Sequence, residues 1–158
     1  MKKLILFVSL ALVASPAAFA AKPTTPGSNG TGGRAIVAKL SGANEVPQAN
    51  TADRGNVVVR LNAKTLKVCW SFSNLKLTPK DARSATPTAA HIHVGAAGTA
   101  GAVFVALGTS FSRKGCTTTS KANIDVILAN PKGYYVNVHN LAYPAGAVRG
   151  QLKKGAPA

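Results

Sequence analysis

Acidic residues are nearly missing from this 158-residue sequence: Glu45, Asp53, Asp81 and Asp125 stand against 19 lysines and arginines. A paired-carboxylate glycosidase would need two of those four acids to meet, and no motif brings them together. A serine hydrolase of the Gly-x-Ser-x-Gly type is a poor fit as well, because the pattern is absent and the acids lie far from the histidines in sequence. Cysteine is limited to Cys69 and Cys116 with no Cys-x-x-Cys, which removes a zinc ribbon and a thioredoxin-type redox site. Aromatic residues are only 6% and the basic residues are scattered rather than blocked, so sequence-specific reading of a nucleic acid is not expected. The glycine-rich run Gly95 to Gly101 lacks a Gly-Lys-Ser/Thr ending and no helix pattern follows it, so it is not a phosphate loop.

What is present begins with a targeting segment. Met1-Lys2-Lys3, the apolar run Leu4 to Val13 and the small-residue end Ala18-Phe19-Ala20 read as a secretory signal peptide over residues 1–20. The run is too short for a membrane span of about 20 residues. Cleavage after Ala20 leaves 138 residues, which suits one domain with a single core, secreted or periplasmic. The mature chain has no transmembrane segment and keeps 17 basic against 4 acidic residues, a net charge of +13. Such a balance favours an anionic surface or polysaccharide, or an extracellular protein, as partner. The chain is expected to be a monomer. In an oxidising compartment Cys69 and Cys116 read as one disulfide, with two buried thiols as the alternative.

Residues 21–34 are rich in Pro, Gly, Thr and Ser without apolar periodicity and read as a flexible linker. From residue 35 to 152 the pattern is that of short strands separated by turns. Gly55 to Leu61 places Val57, Val59 and Leu61 on one face, and Leu66 to Phe72 places Val68, Trp70 and Phe72 on one face. Across the polar turn Asn62 to Thr65 they predict a β-hairpin, with Cys69 on its outer face and its bridge pinning a surface loop. Further strands are predicted at Ile36 to Leu40, Ala89 to Val94, Ala102 to Leu107, Tyr134 to His139 and Ala147 to Leu152. Lys76 to Thr88 and Gly108 to Ser120 read as loops. Lys121 to Ala129 reads as a short helical turn, and 153–158 as a frayed tail. The fold class that follows is all-β: an antiparallel Greek-key sandwich or barrel of about seven to eight strands, immunoglobulin-like or superoxide-dismutase-like.

The three histidines carry the most specific chemistry. In Ala90-His-Ile-His-Val94, Ile92 and Val94 share one face and His91 and His93 the other. In Tyr134-Tyr-Val-Asn-Val-His139, Val136 and Val138 share one face and Tyr135, Asn137 and His139 the other. The apolar faces belong to the core, so all three imidazoles are expected to project from the outside of the sheet. A His-x-His pair on one strand and a third histidine from a neighbour make a candidate copper site, less readily zinc, with an open position. The competing reading is that they are ordinary polar surface residues. No acidic residue lies near them in sequence to orient an imidazole, Glu45 being the one candidate.

The segments Leu40 to Pro47, Val68-Cys-Trp70, Ala90 to Gly95, and Tyr134 to His139 with Tyr143 to Leu152 resemble the CHRD domain. That domain is named for chordin and also occurs as a stand-alone secreted microbial protein. The resemblance spans about Ile36 to Leu152 and implies a secreted β-sandwich interaction module without an assigned activity. A second resemblance is to the copper half of Cu,Zn superoxide dismutase, a Greek-key barrel. It implies copper ligands at His91, His93 and His139 and an anion-guiding role for Arg149. The fourth, bridging histidine and the zinc ligands of that family are missing here, which takes dismutase activity out of the expectation.

Overall fold

The two clearest alternating runs in the sequence become the two longest strands. In the structure, a computed structural model that describes residues 32–79, 81 and 84–155, β1 is Arg34–Ser41, β2 Arg54–Asn62 and β3 Lys67–Lys76. β2 and β3 form the expected hairpin, and their core residues face each other: Val57 opposite Phe72, Val59 opposite Trp70, Leu61 opposite Val68. Asn62 closes the turn, its Oδ1 accepting the N–H groups of Lys64 and Thr65. The expected leader, nearly all of the expected linker, and residues 156–158 lie outside the described residues.

The remaining strands are β4 Pro87–Val94, β5 Val103–Ala106, β6 Lys114–Thr118, β7 Tyr134–Asn140, β8 Val148–Gln151 and the two-residue β9 Lys153–Lys154. All pair antiparallel in the order β5-β4-β7-β8-β1-β2-β3-β6, with β9 against β1. The segment between β5 and β6 draws the two edges of this sheet together. Phe111 N–H donates to Thr88 O at 3.0 Å on the β4 side, and Phe72 N–H on β3 donates to Arg113 O at 2.8 Å. The sheet is thereby nearly closed into a barrel, which leaves little open edge.

Inside the barrel lie the inward positions of every long strand, among them Ile36, Val59, Val68, Trp70, Ile92, Val136 and Val148. The helical spacing at Lys121–Ala129 forms a full nine-residue helix, α1, rather than a single turn. Ser120 caps it by accepting the Asn123 N–H at 3.1 Å. Its Ile124 and Ile127 are both 0% exposed and join the core.

Two expectations are corrected. Residues 114–118 are not loop but strand β6, paired with β3 so that Cys116 stands directly opposite Cys69. The two cysteines are disulfide-bonded, so the bridge staples one strand to its neighbour instead of pinning a loop. The pattern was hidden because the stretch is polar: its inward positions are only Gly115, on which the Trp70 ring lies, and Thr117. Lys153 and Lys154, read as the start of a frayed tail, pair with Val37 and Ile36 on β1.

Candidate metal centre

Strands β4, β7 and β8 place their polar alternates on one face, and the ladder sets them in rows. His91 lies opposite Asn137, and Asn137 opposite Arg149. One step along, His93 lies opposite Tyr135, and Tyr135 opposite Gln151. His139 pairs with Ala89 one step the other way. The alternation therefore assigns the three histidines to the face it predicts, away from the core.

That face is not open surface, however. Turns after β1, after β4 and after β7 fold over it. His93 is 8% exposed, Asn137 3%, Arg149 2% and Glu45 6%, while His91 and His139 are half-buried. A second, polar interior is built between the sheet and these turns. The sequence could not show it, because each turn comes from a different part of the chain.

The three imidazoles meet in this layer. One ligand-type nitrogen from each of His91, His93 and His139 can be chosen so that all lie within 4.8 Å of one another. His91 Nδ1 is 3.0 Å from His139 Nε2. His139 Nδ1 is 2.9 Å from Pro144 O and His93 Nδ1 is 2.9 Å from Gly101 O. A carbonyl only accepts, so both Nδ1 atoms carry the proton and both Nε2 atoms keep a lone pair. The lone pair of His93 Nε2 is buried with no partner.

Electrostatics keep the cluster neutral. Burial, then the neighbouring His139 and His93, lower the pKa of His91 to about 4. Burial also lowers those of His93 and His139. At neutral pH all three are free imidazoles, the form that binds a metal.

The supporting shell is specific. The Tyr135 ring stacks on His93 with centroids 4.9 Å apart and planes 10° from parallel. The Arg149 guanidinium lies 3.6 Å from the centre of the Tyr135 ring. Arg149 also donates to Thr99 O at 2.9 Å and Ala96 O at 3.2 Å, holding the 95–101 turn that supplies the Gly101 carbonyl. This residue, for which an anion-guiding role is implied by resemblance, is thus separated from His93 by Tyr135. It contributes to the wall of a cleft of about 410 Å³ with Glu45 and Gln151.

Glu45 does not touch an imidazole. Asn137 Nδ2 donates to both of its carboxylate oxygens, at 3.0 Å each. Burial raises its pKa to about 7 against the lowering effect of Arg149. Gly146, at φ 146°, passes over this pair, and a Cβ there would lie 2.3 Å from Asn137 Nδ2. The orienting groups are instead the backbone carbonyls of Gly101 and Pro144, which no side-chain pattern announces.

A nearly closed, disulfide-stapled all-β barrel with a roofed three-histidine cluster is the class these features define. Residues 36–152 match the family model of the CHRD domain, and the chain belongs to that family. No curated protein and no solved structure matches it. No helix among the described residues is long and apolar enough to cross a membrane.

Proposed function

We propose that this chain is an exported CHRD module that holds one copper ion between His91, His93 and His139, zinc being the other ion the same donors accept. The observation that carries this reading is the buried, unpartnered Nε2 of His93, aligned with two further imidazoles. Leaving such a group unsatisfied costs on the order of 1–3 kcal/mol, and a metal bond removes that cost. Three neutral imidazole donors suit copper or zinc and are a poor match for calcium or magnesium, which take oxygen.

In this reading His93 and His139 bind through Nε2, with Nδ1–H held by Gly101 O and Pro144 O. His91 would bind through Nδ1 as its Nε2–H tautomer, the proton now shared with His139 Nε2 moving to His91 Nε2 so that the ring stays a neutral imidazole. Carbonyl partners of this kind fix ring orientation. Arg149 and Tyr135 hold His93 in place. A copper ion held by these three nitrogens would supply one-electron redox chemistry.

The test is direct. The mature protein is titrated with Cu(II) and with Zn(II), and stoichiometry and the EPR spectrum are recorded. One equivalent of copper with nitrogen hyperfine structure that is lost in His139→Ala supports the reading. Binding no tighter than that of an isolated surface histidine overturns it. Export has its own check, N-terminal sequencing of the secreted protein, which should begin at Ala21.

A further inference from the structure

We propose that the outer face of β1, β2, β3 and β6 is a binding site for an anionic polysaccharide, centred on a cleft between Lys39, Arg54 and Lys76. These four strands contain seven basic residues and no acidic one. Of the acids elsewhere, Asp81 is exposed and its Oδ1 accepts the Ser84 N–H at 2.8 Å. Glu45 and Asp53 are buried, and Asp125 is paired with Lys121 at 2.6 Å on α1. Asp53, next to Arg54 in sequence, turns inward, its Oδ1 accepting the Thr78 N–H at 2.7 Å.

The cleft is built by the sheet itself. Pairing slips between Arg54 and Asn56: Arg54 faces Lys76 and Asn56 faces Ser73, so β3 carries an extra residue there. This bulge drops Leu75 into the core and turns both Asn74 and Lys76 outward. Asn74 takes φ 50° to do so. Opposite the bulge stands Gly55, where a Cβ would come within 2.9 Å of Leu75 Cδ1. On the outer side of this bulge is a depression of about 450 Å³, lined by Lys39, Arg54 and Lys76 together with Asn56 and Asn74. Lys114, paired with Ser71, extends the basic surface towards β6.

The chemistry of the face selects the polymer. Cations bind carboxylate or sulfate groups, and amides and hydroxyls between them suit a hydroxyl-rich backbone. The aromatic residues of these strands, Trp70 and Phe72, are 5% and 4% exposed and turn inward, so the face offers no platform for stacked bases. Its exposed large apolar side chain is Val58, at 37%, which gives no wedge for a lipid bilayer.

The experiment uses the mature chain and calorimetric titration with dextran sulfate and polygalacturonate oligomers. Neutral dextran, vesicles containing phosphatidylglycerol and single-stranded DNA are titrated in parallel. Saturable binding to the acidic polysaccharides, weakened about tenfold in Lys39→Gln/Lys76→Gln and weakened further by salt, is the expected result. The charge-matched variant Lys121→Gln/Lys132→Gln, on α1 and the turn after it, should bind like the wild type. Equal weakening by both variants would mean that net charge alone drives the interaction, and overturns the proposal. Tighter binding to the vesicles or to the DNA, or binding to neutral dextran, overturns it too. Thermal melting of each variant confirms that the fold is kept.

Discussion

His91 Nδ1 stands 3.0 Å from His139 Nε2. Two nitrogens each about 2.0 Å from one ion at a tetrahedral angle are about 3.3 Å apart, so this pair is already set for a shared ligand. The widest separation in the trio, 4.8 Å, exceeds the roughly 4 Å that two such bonds can span. Closure therefore asks for a shift of about an ångström, which the half-buried rings of His91 and His139 can supply more readily than His93. Replacing any one histidine by alanine should weaken copper binding by about 100-fold or more, since three-point ligation becomes two-point. Competition titration against a chelator of known affinity measures this. Equal affinity in His93→Ala would show that the buried nitrogen plays no part.

The backbone carbonyl behind His93 should matter nearly as much as the ring. Gly101 has no room for a side chain: a Cβ would fall 1.6 Å from Val94 O. Gly101→Ala must therefore move the residue whose carbonyl accepts the His93 Nδ1–H, and whose N–H donates to the Tyr135 hydroxyl at 3.1 Å. Metal affinity is expected to fall about 10- to 100-fold, with a loss of stability on the order of 1–3 kcal/mol. The control is Gly98→Ala in the same turn, where a Cβ meets nothing within 4 Å. Its positive φ costs some stability, but the ligand's orientation is untouched, so copper affinity should stay at the wild-type level.

These relationships mark where the sequence was legible. The pairing of Val57, Val59 and Leu61 with Phe72, Trp70 and Val68 follows from a period of two, because burial on one face leaves no other register. The same period assigns His91, His93 and His139 to one face. It says nothing about what covers that face. The burial of this polar face depends on turns after three different strands, and the orientation of His93 on a glycine carbonyl, neither of which leaves a trace in hydropathy. β6 was invisible for a related reason. A strand that fills its inward positions with glycine and threonine, under a tryptophan from its neighbour, has no apolar alternation to read.

The Cys69–Cys116 bridge should be a main contributor to stability. It joins residues 47 apart, and the chain-entropy model assigns such a loop about 4 kcal/mol. Replacing both cysteines by serine should lower the urea midpoint accordingly and first loosen β6, an end strand of the sheet. The three-histidine cluster lies on β4 and β7, so the copper affinity proposed for it should survive in the folded double variant. Hydrogen exchange read residue by residue separates the two effects: protection lost at 114–118 but kept at 89–94 is the expected pattern.

Glu45 and the histidines should make stability depend on pH in opposite directions. The imidazoles are harder to protonate in the folded chain, so the metal-free protein loses stability as pH falls from 6.5 towards 4. Glu45 behaves in reverse. Its carboxyl ionises near 4.5 when unfolded and at about 7 when folded, chiefly because it is buried. Between these values the folded chain holds a proton that the unfolded chain has released. The contribution is complete below pH 4.5 and is lost as pH rises through 7. Glu45→Gln keeps the shape and a carbonyl for the Asn137 Nδ2 donor, but has no charge to bury. The variant should match the wild type at pH 5 and exceed it by roughly 1–2 kcal/mol at pH 8, less than full linkage because the carboxyl is discounted for partial solvation. Urea denaturation of both proteins across that range gives the difference. A gap that stays constant from pH 5 to 8 would mean that Glu45 is already ionised in the folded protein at pH 5.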